Sequence, residues 1–176
     1  MINNFSRVVM LLAVLYFLPA SLSAQMKRDT MNQKANASVP LKSITIHQEV
    51  DFKASPERVY KALLDSKQFS EFSAQSGEFS ANSAKIDQAE GGAFTLFNGY
   101  ITGRNVELVP NRRIVQAWHD KEWPAGVYSL VKFELKPQSS GTHLIFDHTA
   151  FPLKSREHLA TGWKSHYWDP IAQYLQ

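Results

Sequence analysis

The sequence predicts an α+β domain: a curved antiparallel β-sheet of about six or seven strands wrapped around a long C-terminal helix, with two short helices after the first strand. Three observations carry this reading. From Ser43, the residues Ile44, Ile46, Gln48, Val50 and Phe52 alternate with Thr45, His47, Glu49 and Asp51, the period of two of a half-buried strand. The middle of the chain is a succession of short strand-like segments separated by turn signals. From Ser155 the pattern becomes helical, with Leu159, Trp163, Tyr167, Ile171 and Tyr174 at spacings of three or four.

Each element has a local reason. Ser55-Pro56-Glu57 starts a helix: the serine caps, the proline sits where its missing N–H costs nothing, and the glutamate meets the positive end of the dipole. Val59, Ala62 and Leu63 share one face of it, and a second short helical piece runs through Phe69 and Phe72. The strand candidates are 81–87, 93–97, 100–108, 113–118, 127–136 and 143–149. Between them stand Glu90-Gly91-Gly92, Asn98-Gly99, Pro110-Asn111, Pro124-Ala125-Gly126 and Ser139-Ser140-Gly141. Connections this short pair consecutive strands antiparallel. In the last helix Pro170 removes one backbone donor, so a kink is expected near Asp169.

The first 24 residues read as a signal peptide: Arg7, an unbroken apolar run from Val8 to Leu18, Pro19, then small residues ending at Ala24. The run of 11 residues is shorter than the roughly 20 a membrane span needs, so no stable insertion is expected after cleavage. Export to the periplasm or the medium is the corresponding expectation. Residues 25–42 are polar and aperiodic and read as a flexible linker, leaving residues 43–176 as one domain. Lysines and arginines are interspersed with acids, so no basic face for nucleic acid is expected. The sequence holds no cysteine, which excludes disulfides, thiol catalysis and cysteine-bound zinc.

The run Gly91-Gly92-Ala93-Phe94-Thr95-Leu96-Phe97-Asn98-Gly99-Tyr100-Ile101-Thr102-Gly103 resembles the hairpin of the C-terminal domain of the activators of the heat-shock-protein-90 ATPase. Glu107-Leu108-Val109-Pro110, Arg113 to Trp118, Trp123-Pro124, Tyr128-Ser129, Gly141-Thr142, Phe151-Pro152, Gly162-Trp163, Tyr167-Trp168 and Pro170 continue it in family order. The resemblance implies the START-like helix-grip fold, with a cavity between sheet and terminal helix. In the wider superfamily that cavity takes lipids, sterols, polyketides or other apolar molecules, and only some members are enzymes.

The residues themselves offer no catalytic constellation and no metal or cofactor motif. His143 and His148 fall on opposite faces of one strand, His158 and His166 lie eight apart on a helix, and neither a G-x-S-x-G elbow nor a phosphate loop occurs. The candidate ligand-binding residues are Trp118, Ser129, Val131, His148, Trp163 and Tyr167. His148 shares a face with Leu144 and Phe146, so it is either a satisfied core histidine or the orienting group of a pocket. Ser129 stands in the same relation to Val131 and Phe133. The leading reading is a non-enzymatic protein enclosing an apolar small molecule. A second is a co-chaperone-like protein-interaction module using the outer sheet edge and the Trp123 loop. A third is an enzyme on a cyclic or polyketide-like substrate, which requires a strongly perturbed pKa at His148 or a neighbouring acid.

Overall fold

The computed structural model describes residues 45–80 and 83–176. The signal peptide, the linker, Ser43, Ile44 and the start of the second strand candidate (Ala81, Asn82) lie outside the described residues.

Strand β1 (Thr45–Phe52) leads into helices α1 (Pro56–Leu64) and α2 (Ser66–Ser73). The Ser55 hydroxyl accepts from the Arg58 N–H at 3.4 Å and Pro56 opens α1, as the sequence requires. Asp65, between the helices, caps α2 by accepting from the Gln68 N–H at 2.9 Å. Six more strands follow: β2 (Lys85–Ile86), β3 (Ala93–Leu96), β4 (Ile101–Val109), β5 (Arg113–Asp120), β6 (Ser129–Gln138) and β7 (Gly141–Thr149). They form one antiparallel sheet in the order β1-β7-β6-β5-β4-β3-β2. The meander thus runs outward from β7 to β2, and β1 closes the far edge by pairing Thr45 with Thr149 and Phe52 with Thr142. The segment before β2 is held by side chains rather than by a ladder. Ser70 Oγ accepts from the Ala84 N–H at 3.0 Å, and the Ser73 and Ser83 hydroxyls bond at 2.9 Å.

One face of the sheet is the core. Ile114, Gln116, Trp118 and Asp120 alternate inward on β5, Ser129, Val131, Phe133 and Leu135 on β6, and Leu144, Phe146 and His148 on β7. The C-terminal helix covers that face in three continuous pieces: α3 (Arg156–Trp163), a π-helical turn (Lys164–Trp168) and α4 (Asp169–Tyr174). The expected kink at Pro170 is therefore a register change. The Asp169 N–H, in the residue just before the proline that lacks a donor, bonds the Lys164 carbonyl five residues back. An i→i+5 turn holds more residues than an α-turn, so neighbouring side chains fan out by a smaller angle. Tyr167 and Trp168 consequently both reach the core beside Trp163. Among the described residues no helix is long and apolar enough to cross a membrane.

Gly103 shows why the central hairpin needs its last glycine. It pairs with Phe94 across β3 and β4, and a methyl group there would overlap both the Phe94 ring and the Ala117 carbonyl oxygen. Gly103→Ala is expected to cost about 2–3 kcal/mol, because β4 and β5 must part to admit it. Urea unfolding checks this: the midpoint should fall at unchanged slope, and a change under about 0.5 kcal/mol would mean the strands yield freely.

Candidate ligand-binding site

The sheet and the C-terminal helix do not meet everywhere. Between them lies a cavity of about 340 Å³. Its sheet wall is Ile101, Trp118 and Asp120, and its helix wall is His158, Leu159, Gly162, Trp163, His166 and Tyr167. Glu78, Phe79, Phe97 and Tyr100 complete it from the connections before β2 and β4. A larger groove, about 710 Å³, lies elsewhere, between the start of α1 and the β4–β5 and β6–β7 ends. Its walls carry Arg112, Arg113, Glu134 and Lys136, with Arg113 already committed to Glu107 at 2.7 Å, so it has the character of ordinary charged surface.

The cavity is aromatic by construction. Period two on β5 sends Trp118 inward, and the helix sets Trp163 against it, tilted by 37° with ring centres 4.7 Å apart. Tyr167 follows one turn later, 4.4 Å from Trp163 and 5.6 Å from Phe97. Phe97 reaches in because the chain turns sharply there, with Phe97 and Asn98 both in the left-handed region. Gly162 leaves the helix wall open: a Cβ there would have only the His166 ring near it, at an ordinary 3.7 Å.

The polar groups behind these rings are largely satisfied. All four tryptophans donate their indole N–H: Trp118 to Gln116, Trp123 to Ser155, Trp163 to His148 and Trp168 to Gln48. Gln116 passes the chain on to Asn105 at 2.9 Å, and Asn105 to the Asp87 carbonyl at 2.7 Å. Because an indole only donates, His148 Nδ1 must be the acceptor of the 3.1 Å bond from Trp163. The proton then sits on Nε2 and is donated to Ser129 Oγ at 2.7 Å. Burial pushes the His148 pKa down to about 3. Both nitrogens are thus occupied in a fully buried ring, which leaves no lone pair to take a substrate proton.

Two groups depart from that pattern. The Tyr167 hydroxyl is buried with no hydrogen-bond partner among the described residues, and burial raises its pKa well above the ordinary range. Asp120 is 4% exposed and lines the cavity, yet no lysine, arginine or histidine pairs with it among the described residues. Tyr100, beside it, is pushed up to about 12 by its burial and by the carboxylates of Asp120 and Glu122.

The structure therefore places the six residues singled out in the sequence in two layers. Trp118, Trp163 and Tyr167 line the cavity, whereas Ser129, Val131 and His148 are packed into the core beneath and are not among its lining residues. Trp123 requires a correction: the loop expected to display it instead buries it to 5%, its N–H bonded to Ser155 Oγ at 3.1 Å. Phe79, Phe97, Tyr100, Asp120 and His166 were not foreseen. Asp120 was within reach, since it continues the inward alternation of Ile114, Gln116 and Trp118.

The family model described as "Activator of Hsp90 ATPase homolog 1-like protein" matches residues 53–176, well over half of the chain. The chain belongs to this family. Among curated activator-family relatives, the mouse "Activator of 90 kDa heat shock protein ATPase homolog 2" is 31% identical over 99 residues, covering 56% of this chain and 30% of the relative. The human homolog 1 is 24% identical over 144 residues, covering 82% of this chain and 40% of the relative. The chain thus spans less than half the length of these activator-family proteins. A crystal structure of an HSP90 activator from Plasmodium falciparum superposes with a TM-score of 0.65 at 25% identity, covering 73% of this chain and 94% of that one. These activator-family matches and the seven-stranded sheet with its terminal helix together establish the helix-grip fold.

Proposed function

We propose that this chain is an exported, non-enzymatic binding protein that holds an apolar small molecule between the sheet and the C-terminal helix. The observation that carries the reading is the 340 Å³ cavity walled by Phe79, Phe97, Trp118, Trp163 and Tyr167. Sites of this kind are concave, mostly apolar and supplied with a few polar groups, and about 300 Å³ is the lower end of their usual size. His148, the one deeply buried imidazole, serves the packing of Trp163 rather than proton transfer, which argues against the enzyme reading.

A second reading has its own support. The relatives are named as activators of a chaperone ATPase, and the outer sheet face here exposes Tyr128 (56%) and Leu130 (46%). A co-chaperone-like module would use that face and leave the cavity idle.

The test is native mass spectrometry and organic extraction of the full-length protein purified from the exported fraction of its own cells. A reproducible co-purifying apolar molecule is expected, and Gly162→Leu, which extends a side chain into the cavity from the helix wall, should abolish its retention. Recovery of the protein only inside the cell would overturn the export. An unliganded protein whose Tyr128→Ala and Leu130→Ala variants lose stimulation of a chaperone ATPase would move the function to the outer face.

A further inference from the structure

We infer that the molecule held in the cavity is a lipophilic amine, its ammonium group placed against Asp120 and its apolar body against the tryptophans. The inference rests on the cavity being a binding site and adds the charge of its occupant.

The lining decides the sign. Among its 13 residues are two carboxylates, Glu78 and Asp120, two histidines and no lysine or arginine. Glu78 stands 3.8 Å from His166 and is open to solvent. Asp120 differs: it is 4% exposed, and one of its oxygens accepts the Glu122 N–H at 2.8 Å. Its other oxygen, Oδ2, takes no hydrogen bond among the described residues and keeps contact with solvent at the cavity. A carboxylate on an otherwise apolar wall gains from a cationic partner, because charge is costly to hold away from bulk water. Every comparable buried polar side chain on the sheet has a protein partner, including Gln116, Asn105, Ser129, Thr142 and His148. Asp120 thus faces the cavity with unused acceptor capacity and no counter-charge.

The rest of the wall suits a cation as well. Trp118 and Tyr100 flank Asp120 along and across the strands, and Trp163, Tyr167 and Phe97 face them. Aromatic faces carry negative charge density and attract ammonium groups, most strongly where water is excluded. A carboxylate set among such faces is the recognition chemistry of an organic ammonium. Fatty acids and other anionic lipids find no lysine or arginine on this wall, and His166 already faces Glu78 at 3.8 Å.

A matched series of probes tests this on the full chain by isothermal titration at neutral pH: 1-naphthylmethylammonium, its neutral isostere 1-ethylnaphthalene, and the anion 1-naphthoate. The cation should bind at least about tenfold more tightly than the isostere, as a charge-assisted hydrogen bond requires, with the anion weakest. Asp120→Asn, which keeps the oxygen that accepts from Glu122, should erase that advantage while leaving 1-ethylnaphthalene within about twofold. Equal affinity for cation and isostere in the natural protein would overturn the amine while leaving the cavity a binding site. Retention of the preference in Asp120→Asn would overturn the role of Asp120. Failure of all three probes to bind would remove the binding reading and this inference together.

Discussion

Lowering the pH from 6.5 to about 3 is expected to remove about 4–5 kcal/mol of stability through His148 alone. The ring has 0% exposure, and its contacts are Ser129, Trp118, Phe146, Phe151 and Trp163, none of which carries a charge. Burial therefore depresses its pKa from 6.5 to about 3. In the unfolded chain the imidazole takes a proton as pH falls below its ordinary value, whereas the folded protein refuses one until about pH 3. Unfolding thus takes up a proton in that window, so stability is full above pH 6.5, declines as pH falls through the window, and changes no further below it.

Outer-face groups titrate too. His47 is raised by its bonds to Asp147 and then Glu49, which favours the folded state at low pH and is lost as pH rises through its folded value. Asp51 is lowered by His143, which works in the acidic direction. These groups are common to the natural protein and a His148→Gln variant, so they cancel in the difference. That difference, from urea unfolding, should change steeply between pH 6.5 and 4 and be flat from 7 to 8. A difference independent of pH would mean that burial does not hold His148 neutral.

The second large effect is expected at Trp163. Its ring centre lies 4.2 Å from Phe146, 4.4 Å from Tyr167, 4.7 Å from Trp118 and 5.6 Å from Trp168. Truncation to alanine removes that packing and leaves His148 Nδ1 without its donor. Large-to-small changes of this kind cost about 3–5 kcal/mol, and the orphaned nitrogen adds about 1 kcal/mol more. Against the usual total of about 5–15 kcal/mol, Trp163→Ala should lose a third or more of its stability, read by urea unfolding. Trp163→Phe, which keeps most of the buried surface and loses only the N–H, should fall well short of that. If Trp163→Ala lost less than about 1 kcal/mol, the stack would be shown to close over the gap.

The sequence carried the fold further than the site. The antiparallel succession of β2 to β7, the Ser55 cap and the inward faces of β5, β6 and β7 follow from periodicity and turn chemistry, which are local properties; the closure of β1 on β7 is not local and does not. Strand ends were less legible, because they depend on the partner: β5 extends to Asp120 by pairing with Ile101, and β6 extends to Gln138 by pairing with Gly141. The cavity was half legible. Trp118 and Trp163 could be placed on facing elements, but which aromatics stop short of one another depends on how the helix crosses the sheet. The π-turn at Lys164–Trp168 carries Tyr167 and Trp168 inward together, and no spacing rule anticipates it. Ser129 and His148 were correctly set on the inner face, yet that face is both core and cavity wall, and alternation alone does not separate the two. Trp123 was misplaced because a loop position says nothing of what folds over it.

The pairing of β1 with β7 has a consequence for how the molecule is made. His47 and Asp147, bonded at 2.7 Å, are separated by 100 residues of chain. At about 5–20 residues per second, a growing chain leaves β1 without β7 for several seconds after it is synthesised. Long-range closure of this kind slows folding, and an unpaired strand invites others. The charges of His47, Glu49 and Asp51 on alternate positions then act as a guard on the nascent strand, keeping one of its faces wet until the last hairpin arrives.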